Sequence, residues 1–328
     1  MKAVFYDRQG PAPDVLQLGD LPDPEPPAGH VRVRVRASAV NPSDTKSRTG
    51  FGSQPMPFPR IVPHQDGAGV VDRVGEGVSP GRVGERVWVY EAQRGRPGGT
   101  AAEYTVVPAH QAVPLPGGTS FEVGACLGVP AMTAHRCLFA DGSVQGEWVL
   151  VQGGAGAVGL AAVLLAKWGG ARVVATVSRE EQAHVVREAG ADVIVNRRTE
   201  DVAARVRDAS GGGVSRIVDV ALPANMAANM ACLRVNGVMS AYASDTADQK
   251  LEFTFRQAMV LAATIRLVFV YAMPEAAHEA AARDVNAALE AGMYNPHVGL
   301  RLPLDRVAEG HDAQDSGTLV GKAVFTVS

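Results

Sequence analysis

The sequence predicts an α/β protein of two domains, a β-rich domain followed by a doubly wound parallel sheet. The chain has 328 residues, and domains average roughly 150 residues each. Residues 31–36 alternate valine and arginine, which is typical of a strand with one solvated face. From residue 148 onward, apolar strands alternate with helical segments. That alternation predicts a parallel sheet covered by helices on both faces.

The individual elements follow from local patterns read in chain order. Proline clusters at 22–27 and 55–63 separate the strand-like runs of the first hundred residues. A helical stretch over 121–139 is interrupted by Pro130. The further predicted strands cover 67–74, 86–90, 148–151, 172–177, 192–195, 217–221, 238–243 and 322–327, and the further predicted helices cover 158–168, 179–189 and 275–291.

Composition and charge exclude several classes of protein. Apolar residues make up 46% of the chain and charged residues 20%, as in an ordinary globular protein and unlike a disordered one. The formal net charge is −3, so the chain has no basic excess for nucleic acid and no polybasic tract for an anionic membrane. Arg266 and Lys167 interrupt the longest apolar stretches, which are too short to span a bilayer. We therefore expect neither nucleic acid nor a membrane as a partner.

The cysteines and the first residues indicate a cytoplasmic protein. Cys126, Cys137 and Cys232 form no CxxC pair and are too few for a disulfide framework in this chain. We expect them to be buried, reduced thiols. The N-terminal segment carries charges at Lys2 and Asp7 and lacks the apolar core of a signal peptide.

A glycine cluster follows the apolar strand at 148–151. Gly154, Gly156 and Gly159 match GxGxxG and open a helix, which is the context in which that motif binds a dinucleotide. Backbone N–H groups and the helix N-terminus would hold the pyrophosphate. The alternative is a plain glycine-rich turn between packed elements. The predicted cofactor contacts in this segment are Ala155, Gly156, Ala157 and Val158.

The end of the next strand predicts which dinucleotide binds. A site for NAD usually places Asp or Glu there, whereas this chain has Ser178 and Arg179. A hydroxyl and a guanidinium suit a 2′-phosphate, so NADPH is favoured as the cofactor. Arg197, after the following strand, adds positive charge that would lie beside the adenine ribose. The alternative for both arginines is a solvated surface charge.

Motifs along nearly the whole chain carry a family resemblance. They include Ala-Val-Asn-Pro-Ser-Asp at 39–44, Gly-Ala-Gly-Val-Val at 67–71, Pro-Ala-Met-Thr-Ala at 130–134, the glycine cluster at 149–159 and Gly-Lys at 321–322. With these motifs the chain resembles the zinc-free quinone oxidoreductase and zeta-crystallin branch of the medium-chain dehydrogenase/reductase superfamily.

The resemblance implies the architecture and further site residues. It implies a GroES-like catalytic domain at 1–123 and 271–328, a Rossmann NADPH-binding domain at 124–270, and an active cleft between them. The candidates for catalysis are Asn41, Lys46 and Thr133, and the family often has Tyr where this chain has Lys46. The residues that it adds to the cofactor site are Asn41, Thr133, Tyr242, Ala243, Ser244, Phe269 and Val270.

The resemblance also bears on zinc. Related alcohol dehydrogenases have Cys where this chain has Asn41, and their four-cysteine loop is absent from residues 91–99. His64 is left as one possible ligand, whereas a catalytic zinc needs three protein ligands. We therefore expect no metal, and His64 to be a hydrogen-bonded loop residue or a wall of the site. Lys46 could stabilise a developing oxyanion or could simply be solvated.

These observations lead to three functional hypotheses. The first is direct hydride transfer from NADPH to a quinone without zinc, since conjugated acceptors need no Lewis acid. The second is reduction of an enone or another activated alkene on the same scaffold. The third, of another class, is a non-enzymatic NADPH-binding protein of the crystallin or sensor type. The apolar segment 262–271 is a candidate edge strand, which predicts a homodimer through the Rossmann sheet.

Overall fold

The computed structural model describes every residue from Met1 to Ser328. The chain forms two compact units, one of Met1–Val129 with Val298–Ser328 and the other of Pro130–His297. The strands, in chain order, are β1 (Lys2–Phe5), β2 (Gln17–Asp20), β3 (His30–Ala39), β4 (Asp66–Val74), β5 (Arg86–Val89), β6 (Tyr104–Pro108), β7 (Ala112–Pro114), β8 (Trp148–Gln152), β9 (Arg172–Val177), β10 (Val193–Asn196), β11 (Val214–Asp219), β12 (Leu233–Ala241), β13 (Thr264–Leu267), β14 (Val298–Pro303) and β15 (Lys322–Thr326).

The helices alternate with the strands mainly in the second unit. They are α1 (Ala12–Val15), α2 (Pro42–Thr49), α3 (Phe121–Gly124), α4 (Val129–Phe139), α5 (Ala157–Trp168), α6 (Glu180–Glu188), α7 (Val202–Ser210), α8 (Leu222–Cys232), α9 (Phe255–Val260), α10 (Glu275–Glu290) and α11 (Val307–Asp315). No helix combines the length and the apolar character needed to cross a bilayer.

The first unit is built on a mainly antiparallel sheet with strand order β14-β15-β3-β4-β5-β7, and β6 also pairs with β3. β3 is the organising strand, because it pairs antiparallel with β4, β6 and β15. Its valines Val31, Val33 and Val35 are buried. Of the two arginines between them, Arg34 is exposed, whereas Arg32 is buried and forms a salt bridge with Asp72. The predicted alternation is therefore confirmed, and burial of one face of β3 sets its register.

The second unit has a six-stranded sheet in the order β10-β9-β8-β11-β12-β13, and every pairing in it is parallel. This is the strand order of the doubly wound dinucleotide-binding fold, in which the order of the strands along the sheet reverses between β8 and β11. Leu150 and Ile217 on those two strands are fully buried. The predicted α/β class with a parallel sheet is confirmed.

The boundaries between the units differ from the predicted ones. The first crossing lies at 129/130 rather than 123/124, and the chain returns at 297/298 rather than 270/271. α10 accounts for the second difference, because it packs on α5 of the parallel-sheet unit. Asp284 of α10 also pairs with His135 of α4, with 2.9 Å between Oδ2 and Nε2. The tail of the first unit is therefore shorter than the sequence indicates.

Candidate active site

The glycine loop joins β8 to α5 at the carboxyl edge of the parallel sheet. Gly156 is the N-cap of α5, and no side chain caps the helix. A Cβ on Gly159 would lie 2.2 Å from the carbonyl oxygen of Gly153, so only glycine allows this close packing of helix against loop. A Cβ on Gly156 would instead be tolerated, since its nearest neighbour, the Gly153 carbonyl oxygen, would lie at an ordinary contact distance of 3.6 Å. The loop therefore offers backbone N–H groups at an uncapped helix N-terminus, an arrangement that fits a pyrophosphate.

Polar and cationic groups meet just after β9. The Arg197 guanidinium donates a hydrogen bond from Nε to Ser178 Oγ at 2.8 Å, and Arg197 N–H donates to the Val177 carbonyl at 3.0 Å. Arg179 is the half-buried N-cap residue of α6. The structure thus brings the predicted Ser178, Arg179 and Arg197 together at one strand end. Ser178 Oγ is the acceptor in its hydrogen bond with Arg197, so the Ser178 hydroxyl hydrogen can still be donated to another group.

The other predicted cofactor contacts follow the next strands on the same edge. Tyr242, Ala243 and Ser244 come directly after β12, and the last two are exposed. Burial raises the pKa of the Tyr242 hydroxyl well above its usual value, so this group stays protonated. After β13, Phe269 is 58% exposed whereas the Val270 side chain is buried. These residues share an edge with the glycine loop because all the strands run in parallel.

Thr133 lies on α4 and is 4% exposed. Its role in catalysis or cofactor binding stays a prediction.

In the first unit, Asn41 lies at the centre of a buried ionic cluster. Its Nδ2 donates to Asp66 Oδ2 at 2.9 Å, and Lys322 Nζ donates both to Asn41 Oδ1 and, at 3.2 Å, to Asp66 Oδ2. The N–H of Val129 donates to Asp66 Oδ1 at 2.9 Å. Burial raises the pKa of the Asp66 carboxyl, and the Lys322 ammonium opposes that shift. Both ends of the Asn41 amide are therefore oriented by charged neighbours.

The sequence did not indicate Asp66 or Lys322 as site residues. Gly-Lys at 321–322 was a family marker only, and Lys322 is 281 positions from Asn41. β15 pairs with β3, which brings Lys322 beside the N-terminus of α2. Asn41 itself is 1% exposed, so its direct contact with a ligand stays a prediction.

Asp44 and Lys46 lie on α2 and have different surroundings. The Asp44 carboxylate caps the helix by accepting the Asn41 N–H at 2.7 Å. Burial, followed by the nearby Asp66 carboxyl, raises the pKa of Asp44 to about 7. The Lys46 ammonium is half-buried and lies 4.5 Å from the centroid of the Phe51 ring. Lys46 therefore makes a cation–π contact rather than being fully solvated.

His64 is a buried, hydrogen-bonded loop residue, one of the two roles expected for it. Ser38 Oγ lies 2.8 Å from Nδ1 and His311 Nε2 lies 2.9 Å from Nε2, so both ring nitrogens are engaged. Its ring also stacks on Phe325. No group of three or more His, Cys, Asp or Glu side chains in the chain is arranged to hold a metal ion.

The comparisons with known proteins agree with the fold of the two units. The family model of the alcohol dehydrogenase GroES-like domain matches residues 27–117, and that of the zinc-binding dehydrogenases matches residues 157–286. A quinone oxidoreductase of Lama guanicoe is 31% identical, over 99% of this chain and 97% of that protein. A 2-haloacrylate reductase of a Burkholderia species is 30% identical, over 99% of this chain and 98% of that protein.

A solved structure is similar as well. The quinone oxidoreductase of Thermus thermophilus, which was also solved in complex with NADPH, is 27% identical with a TM-score of 0.83, over all of both chains. The first unit is thus a GroES-like domain and the second a Rossmann domain, the pair that defines the medium-chain dehydrogenase/reductase superfamily. Within that superfamily, the chain belongs to the quinone oxidoreductase family.

Proposed function

We propose that this protein is an NADPH-dependent quinone oxidoreductase that transfers hydride directly and without zinc. The observation that carries the proposal is the group of Ser178, Arg179 and Arg197 at the end of β9, on the same sheet edge as the uncapped N-terminus of α5. When bound, the reduced nicotinamide supplies the hydride. The glycine loop would hold the pyrophosphate, and the Ser178 hydroxyl and the two guanidinium groups would hold the 2′-phosphate.

Zinc independence is supported by the cluster around Asn41. The Lys322 ammonium lies against Asn41 Oδ1 and Asp66 Oδ2, so oxygen atoms that could serve a metal already bind a cation. A divalent ion at these atoms would face that positive charge in a buried environment, where like charges repel strongly. His64 also has both ring nitrogens committed to hydrogen bonds. Metal analysis of the purified protein, with assay after dialysis against a chelator, tests this part. Stoichiometric zinc whose removal abolishes turnover would refute it.

A second candidate is the reduction of activated alkenes on the same scaffold. One relative with full-length similarity is named a 2-haloacrylate reductase, and a haloacrylate is a conjugated alkene that accepts hydride. NADPH oxidation measured with a quinone panel and with an enone and haloacrylate panel separates the two candidates. Turnover of neither panel, with NADPH still bound, would favour a non-enzymatic NADPH-binding protein.

The cofactor assignment is tested with Arg179→Ala. A hydrogen bond to a charged group contributes about 1.5–3 kcal/mol, and 1.4 kcal/mol is about tenfold in affinity. Arg179→Ala should therefore weaken NADPH binding about ten- to a hundredfold, and Arg197→Ala should act in the same direction. NADH binding should barely change, since NADH has no 2′-phosphate. Arg198→Ala is the matched control, because Arg198 is an exposed arginine next to Arg197.

Two results would contradict this assignment. One is equal affinity of the wild-type protein for NADPH and NADH. The other is an Arg179→Ala variant that loses both cofactors alike, because the loss would then reflect the fold rather than the phosphate site. Added salt should also reduce the preference for NADPH, because an open phosphate site is screened by ions.

We further propose that the protein is a cytoplasmic homodimer. β13 is an edge strand of the Rossmann sheet, and Leu267 and Phe269 are exposed there by 74% and 58%. An exposed apolar edge favours pairing with a second copy. The location is supported by the cysteines, which are all buried and unpaired, as predicted. Burial raises the pKa of Cys126 to about 12 and that of Cys232 to about 11, so both thiols stay protonated and unreactive.

A further inference from the structure

We propose that a buried hydrogen-bonded chain from the glycine loop to Asp219 holds that loop in its dinucleotide-binding conformation, with Thr176 as the central positioning residue. The inference rests on the proposed function, because it concerns the same cofactor site. It adds Thr176, Gln152, Asn229 and Asp219 to the residues proposed for that site.

Thr176, on β9, accepts hydrogen bonds from two successive residues of the glycine loop. The Gly153 N–H donates to Thr176 Oγ1 at 3.0 Å, and the Gly154 N–H donates to the Thr176 carbonyl at 2.9 Å. Thr176 is fully buried. One residue therefore connects the loop to the strand whose end carries Ser178 and Arg179.

The chain continues across the sheet to β11 and α8. Thr176 Oγ1 donates to Gln152 Oε1 at 2.8 Å, and Gln152 Nε2 donates to Asn229 Oδ1 at 2.9 Å. Asn229 Nδ2 then donates to Asp219 Oδ2. Asp219 Oδ1 also accepts the Ala221 N–H at 2.7 Å and Asn225 Nδ2 at 3.0 Å. Gln152, Asn229 and Asp219 are each at most 3% exposed.

The carboxylate of Asp219 determines the direction of every bond in this chain. An ionised carboxylate only accepts, so Asn229 must turn its NH₂ to Asp219 and its oxygen to Gln152. Gln152 must then donate to Asn229 and present its own oxygen to Thr176. The Thr176 hydroxyl hydrogen is used in that bond, which leaves an oxygen lone pair for the Gly153 N–H. Because all these hydrogen bonds run in one direction, towards Asp219, they strengthen one another and favour a single orientation of the buried side chains.

The conformation of Gly153 explains why the loop needs this support. Gly153 has φ of +73°, in the left-handed region, and glycine reaches many other conformations at little cost. The Gly153 carbonyl oxygen packs against Gly159 and would collide with any side chain there. The position of Gly153 therefore also determines how closely α5 approaches the loop. The bond to Thr176 therefore orders the segment that presents N–H groups to the pyrophosphate.

This role predicts a binding signature different from that of Arg179. The pyrophosphate is common to NADPH and NADH, whereas the 2′-phosphate belongs to NADPH alone. Loss of the Thr176 hydroxyl should weaken both cofactors by the same factor. One neutral hydrogen bond contributes roughly 0.5–1.5 kcal/mol, which corresponds to a loss of affinity of about two- to twelvefold.

The experiment uses Thr176→Val, which removes the hydroxyl at nearly constant shape, and Thr176→Ser, which keeps it. Dissociation constants for NADPH and NADH are measured on the purified full-length protein together with thermal melting and steady-state kinetics. Thr176→Val should weaken both cofactors by a common factor in that range and raise the KM for NADPH, with kcat at saturating NADPH within about twofold of wild type. Thr176→Ser should restore binding.

The control is Ser240→Ala, which removes another buried hydroxyl of the same sheet, one that donates to the Cys137 carbonyl at 3.0 Å. It should lower the melting temperature without changing either dissociation constant. If Thr176→Val does not fold, Gln152→Met removes the Thr176 acceptor and the link to Asn229, and should weaken both cofactors alike.

Unchanged binding by a folded Thr176→Val protein, or an equal loss in Thr176→Ser, would overturn the inference and leave the proposed function standing. A loss confined to NADPH would also overturn it. A wild-type protein that binds neither dinucleotide would refute the proposed function, and the inference with it.

Discussion

Replacing His311 with glutamine should make the protein less sensitive to acid. His311 is fully buried, and its Nδ1 accepts a hydrogen bond from Arg48 Nε at 3.2 Å. The ring is therefore neutral, and its Nε2–H donates to His64 Nε2 at 2.9 Å. Burial, followed by the Arg48 charge, lowers the pKa of His311 to about 3.

The size of the effect follows from the two pKa values. In the unfolded chain the pKa of histidine is about 6.5, so below that pH the unfolded protein binds a proton that the folded protein does not. The free energy of unfolding therefore falls as the pH drops from about 6.5 towards about 3. At pH 5 the loss from this one group is about 2 kcal/mol relative to pH 8. Burial lowers the pKa of His64 as well, so that residue acts with the same sign.

Glutamine at position 311 keeps the pattern of hydrogen bonds without the titration. Its oxygen can accept from Arg48 and its NH₂ can donate to His64, as the neutral ring does. Urea unfolding of the wild type and of His311→Gln at pH 8, 6 and 5 measures the difference. The slope of the free energy of unfolding against pH should be smaller in the variant by about 1.2 kcal/mol per pH unit between pH 6 and 5.

A matched control and a clear refutation are available. His184→Gln makes the same substitution at a histidine whose side chain is 68% exposed, and is the matched control for the exchange of side chain. Parallel pH profiles for His311→Gln and the wild type would show that His311 does not titrate as its buried position requires.

Two further predictions concern the ionic cluster and the sheet edge. Lys322→Met should lower the free energy of unfolding by about 3–5 kcal/mol, because it leaves the buried Asp66 carboxylate without its cation. Urea unfolding measures the loss, and adding Asp66→Asn to Lys322→Met should recover part of it. An unchanged urea midpoint in Lys322→Met would contradict the prediction. Light scattering at micromolar concentration should show a dimer for the wild type, and Leu267→Glu should shift it towards the 34.3 kDa monomer. A monomeric wild type would refute the proposed sheet-edge dimer.

The sequence by itself determined those features whose cause is local. The glycine spacing around Gly156, between an apolar strand and a helix, predicted the loop. The motif is local because the tight turn, the backbone that would approach a pyrophosphate and the start of the helix occupy consecutive residues. Ser178 and Arg179 were predicted as cofactor contacts because they follow a strand of a doubly wound sheet, where ligands bind at the carboxyl ends of the strands. The alternation in β3 predicted its buried face because the side chains of a strand alternate from one side of the sheet to the other.

Only the tertiary structure decided the features that join distant segments. Lys322 meets Asn41 across 281 positions, and His64 meets His311 across 247. No local pattern marks such pairs, since each residue alone is compatible with a surface position. The same holds for α10, whose place in the Rossmann unit depends on packing against α5 rather than on its own sequence. The hydrogen-bond chain through Thr176 likewise exists only because parallel strands bring β9, β8 and β11 side by side, which places the buried polar groups of separate segments within bonding distance.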